Sequence, residues 1–245
     1  MKVIITTIFA IITIAGNAQI SLVPGRSSFE KAWIKNETYQ MTWFAIRDTV
    51  KFEIGEVDTQ ILTDKKFVTI VTEVKLKNSK APWIDTTIAD ISTLAPIRHT
   101  SYNMQRDMVL NFGKIVTGSY NDKLKQQDRL ISDTTGTAYF DSNIYPALIA
   151  WLPLNEGYKQ NIAIYDYNPS GKTGVIKASI ENVASGIYES IKSGSRNVWV
   201  VTVTDEIGNG KDGFMIYYID KNDRKLWKQE INAGGRKMIM QRKEL

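Results

Sequence analysis

The chain has 245 residues, no cysteine, one histidine and a formal net charge of +5. The missing thiols rule out a disulfide framework and a thiolate metal site, and a lone histidine leaves zinc without a second imidazole. No metal site and no cofactor is expected.

Residues 1–18 open with Lys2, run apolar from Val3 to Ala15 and leave through Gly16, Asn17 and Ala18. That order is a secretory signal peptide, with cleavage expected after Ala18. The apolar run is shorter than the roughly 20 residues a helix needs to cross a hydrocarbon core, so no transmembrane span is expected to remain. A bacterial lipoprotein needs a cysteine at the head of its mature chain, and none exists. The expected product, residues 19–245, is therefore soluble in the periplasm or outside the cell, where nucleic acid is not an expected partner. A chain of that length buries about 70–75% of its unfolded surface and forms a core as one domain without disulfides.

Ser27-Ser28-Phe29-Glu30 has capping-box spacing ahead of Ala32, Trp33 and Ile34, which predicts a short helix. From Glu37 onward, runs rich in Val, Ile, Thr, Tyr, Phe and Trp alternate with Gly, Asn, Asp, Ser and Lys clusters, the pattern of short strands and turns. Strands are predicted over 38–46, 49–61, 66–76, 83–91, 96–104, 107–112, 114–124 and 128–133. Seven more follow over 158–168, 174–183, 186–192, 197–205, 212–220, 223–231 and 236–242. Asp64-Lys65-Lys66, Asn121-Asp122, Gly208-Asn209-Gly210, Lys221-Asn222-Asp223 and Ala233-Gly234-Gly235 supply the turn residues. An antiparallel meander is the simplest topology for such a series.

In 66–76, Val68, Ile70, Val74 and Leu76 alternate with polar residues, as in a half-buried strand. By contrast, 198–201 and 214–219 are apolar on both faces and ask for cover on both. Between the two strand series, Asp141-Ser142-Asn143 offers capping oxygens, Pro146 suits a first helical turn, and Ile144 to Leu152 is apolar nearly all round before Pro153. A helix hydrophobic on every face is buried, so 143–152 is read as a short helix with Trp151 as its largest wedge. A buried strand is the alternative. The fold class expected is mainly β: one strongly curved antiparallel sheet, a half or nearly closed barrel, wrapping this helix.

The closing segment 221–245 carries eight basic residues against three acidic ones. Lys225, Lys228, Arg236 and Lys237 are its basic surface candidates, for an anionic surface or an acidic envelope partner; a solvated hairpin face is the plainer reading.

Four stretches recur in this order in a known family: Glu37-Thr38-Tyr39-Gln40-Met41-Thr42-Trp43, Ala89 to Pro96, Phe140 to Leu154, and Gly234-Gly235-Arg236-Lys237-Met238. The chain resembles a family of exported Gram-negative proteins catalogued as a domain of unknown function, similar in fold to the periplasmic lipoprotein carrier and its outer-membrane receptor. The likeness covers most of residues 37–242. It implies a curved sheet around helical segments and an apolar cavity of the kind that holds acyl chains in the carriers. It brings no catalytic signature.

Candidate chemistry is sparse. His99 would have to serve any Ser-His-Asp mechanism, yet no Gly-x-Ser-x-Gly elbow supplies a nucleophile, and it reads as a strand residue with a structural role. Pro169-Ser170-Gly171-Lys172-Thr173 ends like a phosphate-binding loop but has Asp166 where the first glycine belongs and a strand pattern after it, so a hairpin turn is expected. Glu53, Glu56 and Asp58, Asp85 and Asp90, and Asp205-Glu206 are carboxylate groups that would act in a hydrolase only if two converged across a cleft. Solvated strand faces and turns account for them otherwise.

If an apolar cavity exists, Trp43, Trp151, Trp199, Phe214, Met215 and Tyr217 are the ligand-lining candidates. The expected function is a non-catalytic binding or carrier-like module for an apolar acyl or lipid ligand. An envelope assembly protein with a solid core is the alternative, and a carboxylate-dependent hydrolase the third reading.

Overall fold

The computed structural model describes residues 20–25, 29–207 and 213–244. The signal-peptide expectation, the serines of the capping box and the Gly208-Asn209-Gly210 turn lie outside the described residues. In chain order, a single 3₁₀ turn, Lys31–Trp33, precedes β1 (Glu37–Arg47), β2 (Val50–Thr63), β3 (Phe67–Leu76), β4 (Trp83–Asp90), β5 (Pro96–Tyr102), β6 (Arg106–Asn111), β7 (Ile115–Asp122) and β8 (Gln127–Thr134). A two-residue β9 (Phe140–Asp141) leads into α1 (Tyr145–Trp151). Then come β10 (Gln160–Asp166), β11 (Gly174–Ser190), β12 (Gly194–Asp205), β13 (Phe214–Asp220), β14 (Leu226–Ala233) and β15 (Arg236–Arg242).

Aspartates and asparagines at strand ends make the turns by bonding backbone N–H groups two and three residues on. Asp64 accepts from Lys66 and Phe67 at 2.7 and 2.8 Å, Asn103 from Gln105 and Arg106 at 2.8 and 2.9 Å, and Asp122 from Leu124 and Lys125 at 3.1 and 3.0 Å. Gly234 and Gly235 both have positive φ, 56° and 73°, as a two-residue hairpin turn between β14 and β15 requires. The strands predicted over 174–183 and 186–192 form one element, because β11 continues its pairing with β12 through a bulge between Ile180 and Asn182.

All fifteen strands belong to one sheet, in the order β8-β7-β6-β5-β4-β3-β2-β1-β15-β14-β13-β12-β11-β10-β9. Two meanders are therefore joined where β15 returns to pair antiparallel with β1, from Met41 opposite Arg242 to Ile46 opposite Lys237. Only β9 runs parallel to its neighbour, β10. The ladder stops at β8 on one side and at β9 on the other, so the sheet is not closed into a barrel.

It is nevertheless bent round on itself. One core cluster joins Ile61, Val68, Ile70 and Ala89 of β2–β4, Leu148, Ile149 and Trp151 of α1, and Ile162, Ile176, Val201 and Tyr217 of β10–β13. Strands β4 and β10 stand nine places apart in the ladder, on the order of 40 Å in a flat sheet at ~4.8 Å per strand. They share a cluster because the sheet bends into a trough and α1 fills it. Leu94 reaches the same cluster from the β4–β5 turn with φ 59° and no exposure, held by its N–H to the Asp90 carbonyl at 2.7 Å.

The strands apolar on both faces receive unequal cover. Met215, Tyr217 and Ile219 face the core, while Phe214 and Tyr218 of the same strand point outward. Among the described residues the outer side is covered by side chains of neighbouring strands, with Lys228 Nζ 4.7 Å from the Tyr218 ring centroid and Tyr188 beside it.

Twist brings some neighbouring strands very close. A Cβ on Gly118 would stand 1.8 Å from the Val109 carbonyl oxygen, whereas one on Gly136 would meet nothing within 4 Å. Gly118→Ala is expected to lose about 1–3 kcal/mol in urea denaturation and Gly136→Ala almost nothing. Leu148→Ala, which empties the centre of the trough, is expected to lose about 2–5 kcal/mol by the same measurement.

Candidate functional site

One free edge of the sheet, β9, is held against the interior strands β4 and β5 by side chains. Asp141 of β9, with no exposed surface, accepts a hydrogen bond from Thr87 Oγ1 at 2.5 Å and lies 3.1 Å from His99 Nδ1. Strands β5 and β9 are eleven places apart in the ladder, so this contact spans the seam of the trough. Aromatic rings extend it: Phe112 and Tyr165 have centroids 5.9 Å apart, Tyr139 and Tyr165 5.3 Å, and Tyr120 and Tyr167 5.6 Å. The Tyr139 hydroxyl donates to the Gly113 carbonyl at 2.9 Å.

The second nitrogen of His99, Nε2, faces Asp85 Oδ1 at 3.6 Å, an ion-pair distance too long for a hydrogen bond. Burial alone would push this imidazole down; Asp141 first and Asp85 second outweigh it and raise the pKa to about 10. His99 is thus an imidazolium at neutral pH with a carboxylate at each nitrogen. Such a ring has no free lone pair to accept a proton, and its geometry is that of a fastener. Of the capping oxygens expected at Asp141-Ser142-Asn143, Asp141 accepts from the Asn143 N–H at 3.2 Å in the turn ahead of the helix as well as serving His99 and Thr87, while Ile144 is the N-cap of α1 and no side chain caps it.

From the seam, a polar chain leads to the open end of the trough. The Trp83 indole Nε1–H lies 2.9 Å from Asp85 Oδ1 and 3.0 Å from Ser101 Oγ, and Ser101 Oγ also accepts from Arg106 Nη2 at 3.3 Å. Arg106 and Trp83 line a cleft of about 540 Å³. Its apolar lining includes Val74, Leu76, Met104, Tyr120 and Leu124, and its polar lining includes Asn103, Gln105, Asp122, Lys125, Asn168 and Ser170. This volume lies in the range of small-molecule sites, and several apolar side chains at its mouth stand free, Met104 at 49% and Leu124 at 72% exposure.

The sequence candidates for a cavity lie elsewhere. Trp151 and Tyr217 are buried in the trough core, and Trp199 and Met215 pack against it. Lys221 Nζ sits 4.0 Å from the Trp199 ring centroid. Trp43 is half-buried on β1, and Phe214 is on the outer face with 38% exposure. None of the six lines the cleft.

The basic candidates are not gathered either. Arg236 and Lys237 are exposed beside the β14–β15 hairpin, and Lys228 pairs with Glu230 at 2.5 Å. Lys225 lies past the other end of β14, where it lines a second cleft of about 280 Å³ with Lys192, Arg196, Arg242, Lys243, Trp227 and Glu244. Four of those cations already have acidic partners: Arg196 with Asp220, Lys225 with Asp223, Arg242 with Glu37 and Lys243 with Glu56.

Asp85 faces Asp141 across the His99 ring, and the other carboxylate candidates are dispersed. Glu53 pairs with Lys77 at 3.0 Å and Asp58 with Lys75 at 2.8 Å, Asp90 caps the Ser92-Thr93 turn, Asp205 accepts from the Tyr145 hydroxyl, and Glu206 pairs with Lys172. Among the described residues no three His, Cys, Asp or Glu side chains converge as metal ligands. The Pro169–Thr173 segment is the turn between β10 and β11, with a strand after it.

Fold and site together define a mainly β protein: one sheet, bent into a trough round a buried helix and fastened at its seam, with a part-apolar cleft at the open end. Residues 38–241 match the family model described as protein of unknown function (DUF3108), and the chain belongs to that family. No curated protein and no solved structure matches it. Among the described residues no helix is long and apolar enough to cross a membrane.

Replacing His99 by Leu would leave two carboxylates facing each other in the seam without their cation, and a loss of about 3–5 kcal/mol is expected at pH 7. The raised pKa fixes the pH dependence. The contribution of His99 is complete below the unfolded value of ~6.5 and disappears as pH rises through about 10. Wild-type urea midpoints should therefore fall between pH 7 and pH 10 more steeply than those of the His99→Leu variant.

Proposed function

We propose that this protein is an exported, non-catalytic binding module for an apolar ligand of acyl or lipid type, held in the cleft at the open end of the trough. The observation that carries the reading is the cleft itself. Helix α1 occupies the core of the trough, with Leu148, Ile149 and Leu152 wholly buried, and the cleft between Trp83, Tyr120, Met104 and Leu124 offers part-apolar room for a guest. A chain laid there would bury the free faces of Met104 and Leu124 at about 25 cal/mol per Å². A trough of sheet sheltering an apolar guest is also the arrangement that the lipoprotein carriers suggest. Export is supported by the order of charge, apolar run and small residues over 1–18.

The test is binding of 1-dodecanol, a neutral twelve-carbon probe, followed by Trp fluorescence and calorimetry, alongside mass spectrometry of lipid released from the purified protein. Met104→Gln with Leu124→Gln leaves the core untouched and should weaken dodecanol at least tenfold with no change in melting temperature. Absence of released lipid together with absence of probe binding would defeat the proposal.

A further inference from the structure

We infer that the guest of this cleft is an amphiphile with one anionic head, a carboxylate or a phosphate, and that Arg106 recognises the head. The inference rests on the proposed binding function and adds the ligand's chemical class and the residue that selects it.

Arg106 begins β6 at the inner side of the cleft. Its guanidinium carbon lies 5.6 Å from the Trp83 ring centroid, and its one hydrogen bond is the 3.3 Å contact from Nη2 to Ser101 Oγ. Nε is buried and meets no acceptor. Among the described residues Arg106 forms no ion pair, although carboxylates are near. Asp107 is taken by Lys123 at 2.6 Å. Asp122, opposite Arg106 in the β6–β7 ladder, accepts two turn N–H groups and pairs with Lys125 at 3.7 Å. Asp85 is taken by Trp83 and His99. Asp166 is within electrostatic reach, but burial pushes its carboxyl up and its Oδ1 accepts from Ser142 at 2.9 Å.

A guanidinium offers five donors in a planar fork, and this one uses a single donor in a long bond. Arg106 is half-buried, with its Nε wholly covered and without a partner, and an incoming anion would meet the donors the fork leaves unused. The surrounding wall decides what kind of anion. Val74, Leu76, Met104 and Leu124 give nothing to a small hydrated ion, and a neutral chain leaves the arginine as it was. A head bound by Arg106 with its chain laid toward Leu76 and Leu124 satisfies both. Lys125, at the outer rim, is already paired with Asp122 and is left out of the assignment.

Four probes separate the possibilities by calorimetry: dodecanoate, dodecyl phosphate, 1-dodecanol and inorganic phosphate. Either or both anionic amphiphiles should bind at least tenfold more tightly than dodecanol, and whichever leads identifies the head as carboxylate or phosphate; inorganic phosphate should bind far more weakly than either. Arg106→Met should abolish the preference of the anionic chains over the alcohol. Arg106→Lys should retain part of the preference. Equal binding of dodecanol and both anions to the wild-type protein, or an equal loss of all three chains in Arg106→Met, overturns the assignment of Arg106 and leaves the apolar cleft standing. Failure of every probe, dodecanol included, removes both. Tight inorganic phosphate with no gain from the chain overturns the amphiphile and leaves an anion site.

Discussion

Helix α1 is apolar on every face, and a helix of that kind has to be surrounded. A single sheet surrounds a helix only by bending, and this bending sets the other features. It brings β2–β4 and β10–β13 onto the same side chains of α1. It also delivers the β9 edge to strands β4 and β5, where His99, Thr87 and Asp141 fasten it and the rings of Phe112, Tyr139 and Tyr165 pack together. The outer side of β10 is covered by the two-residue edge strand β9 and by a parallel bridge from Leu22 to Ile162, which leaves fewer unpaired backbone groups for another chain to join.

The two ends of the trough differ as a result. At one, α1 and the 3₁₀ turn beside it close the interior, with the Glu30 N–H on the Trp151 carbonyl at 2.7 Å and Phe29 and Trp33 against the core. At the other, no helix of the described residues enters, and Val74, Trp83 and Tyr120 help form the cleft. The polar chain from Arg106 through Ser101, Trp83 and Asp85 to His99 links that cleft to the seam. Charge in the cleft and charge in the fastener are therefore parts of one electrostatic neighbourhood.

Most of the architecture was legible in the residues. Period-two patterns and Asp or Asn at strand ends located the strands within a few residues, and Ile144 to Leu152 showed its helix because its apolarity has no polar face. The pairing of β15 with β1 was not legible, since neither strand carries a mark of its partner. The site was legible to a much smaller degree. Trp151 and Tyr217 are buried in the core, and the cleft is lined by residues such as Trp83, Met104, Leu124 and Arg106, which in sequence look like strand ends and turn residues. The best available signal was Met104 beside Asn103 and Leu124 beside Asp122, large apolar side chains placed in turns. His99 read as structural, and its geometry agrees; its partner Asp141, forty-two residues away, could be paired with it only through the fold.

The absence of native cysteine permits a direct measurement of the bend. Spin labels on Leu124→Cys and Ser170→Cys would report across the cleft from the β7–β8 turn to the β10–β11 turn. The bent sheet predicts a separation of a few strand spacings, on the order of 10–25 Å. A flat sheet with the same strand order would hold the labels roughly 60 Å apart, and a distance distribution centred there would contradict the trough, its seam and its cleft together.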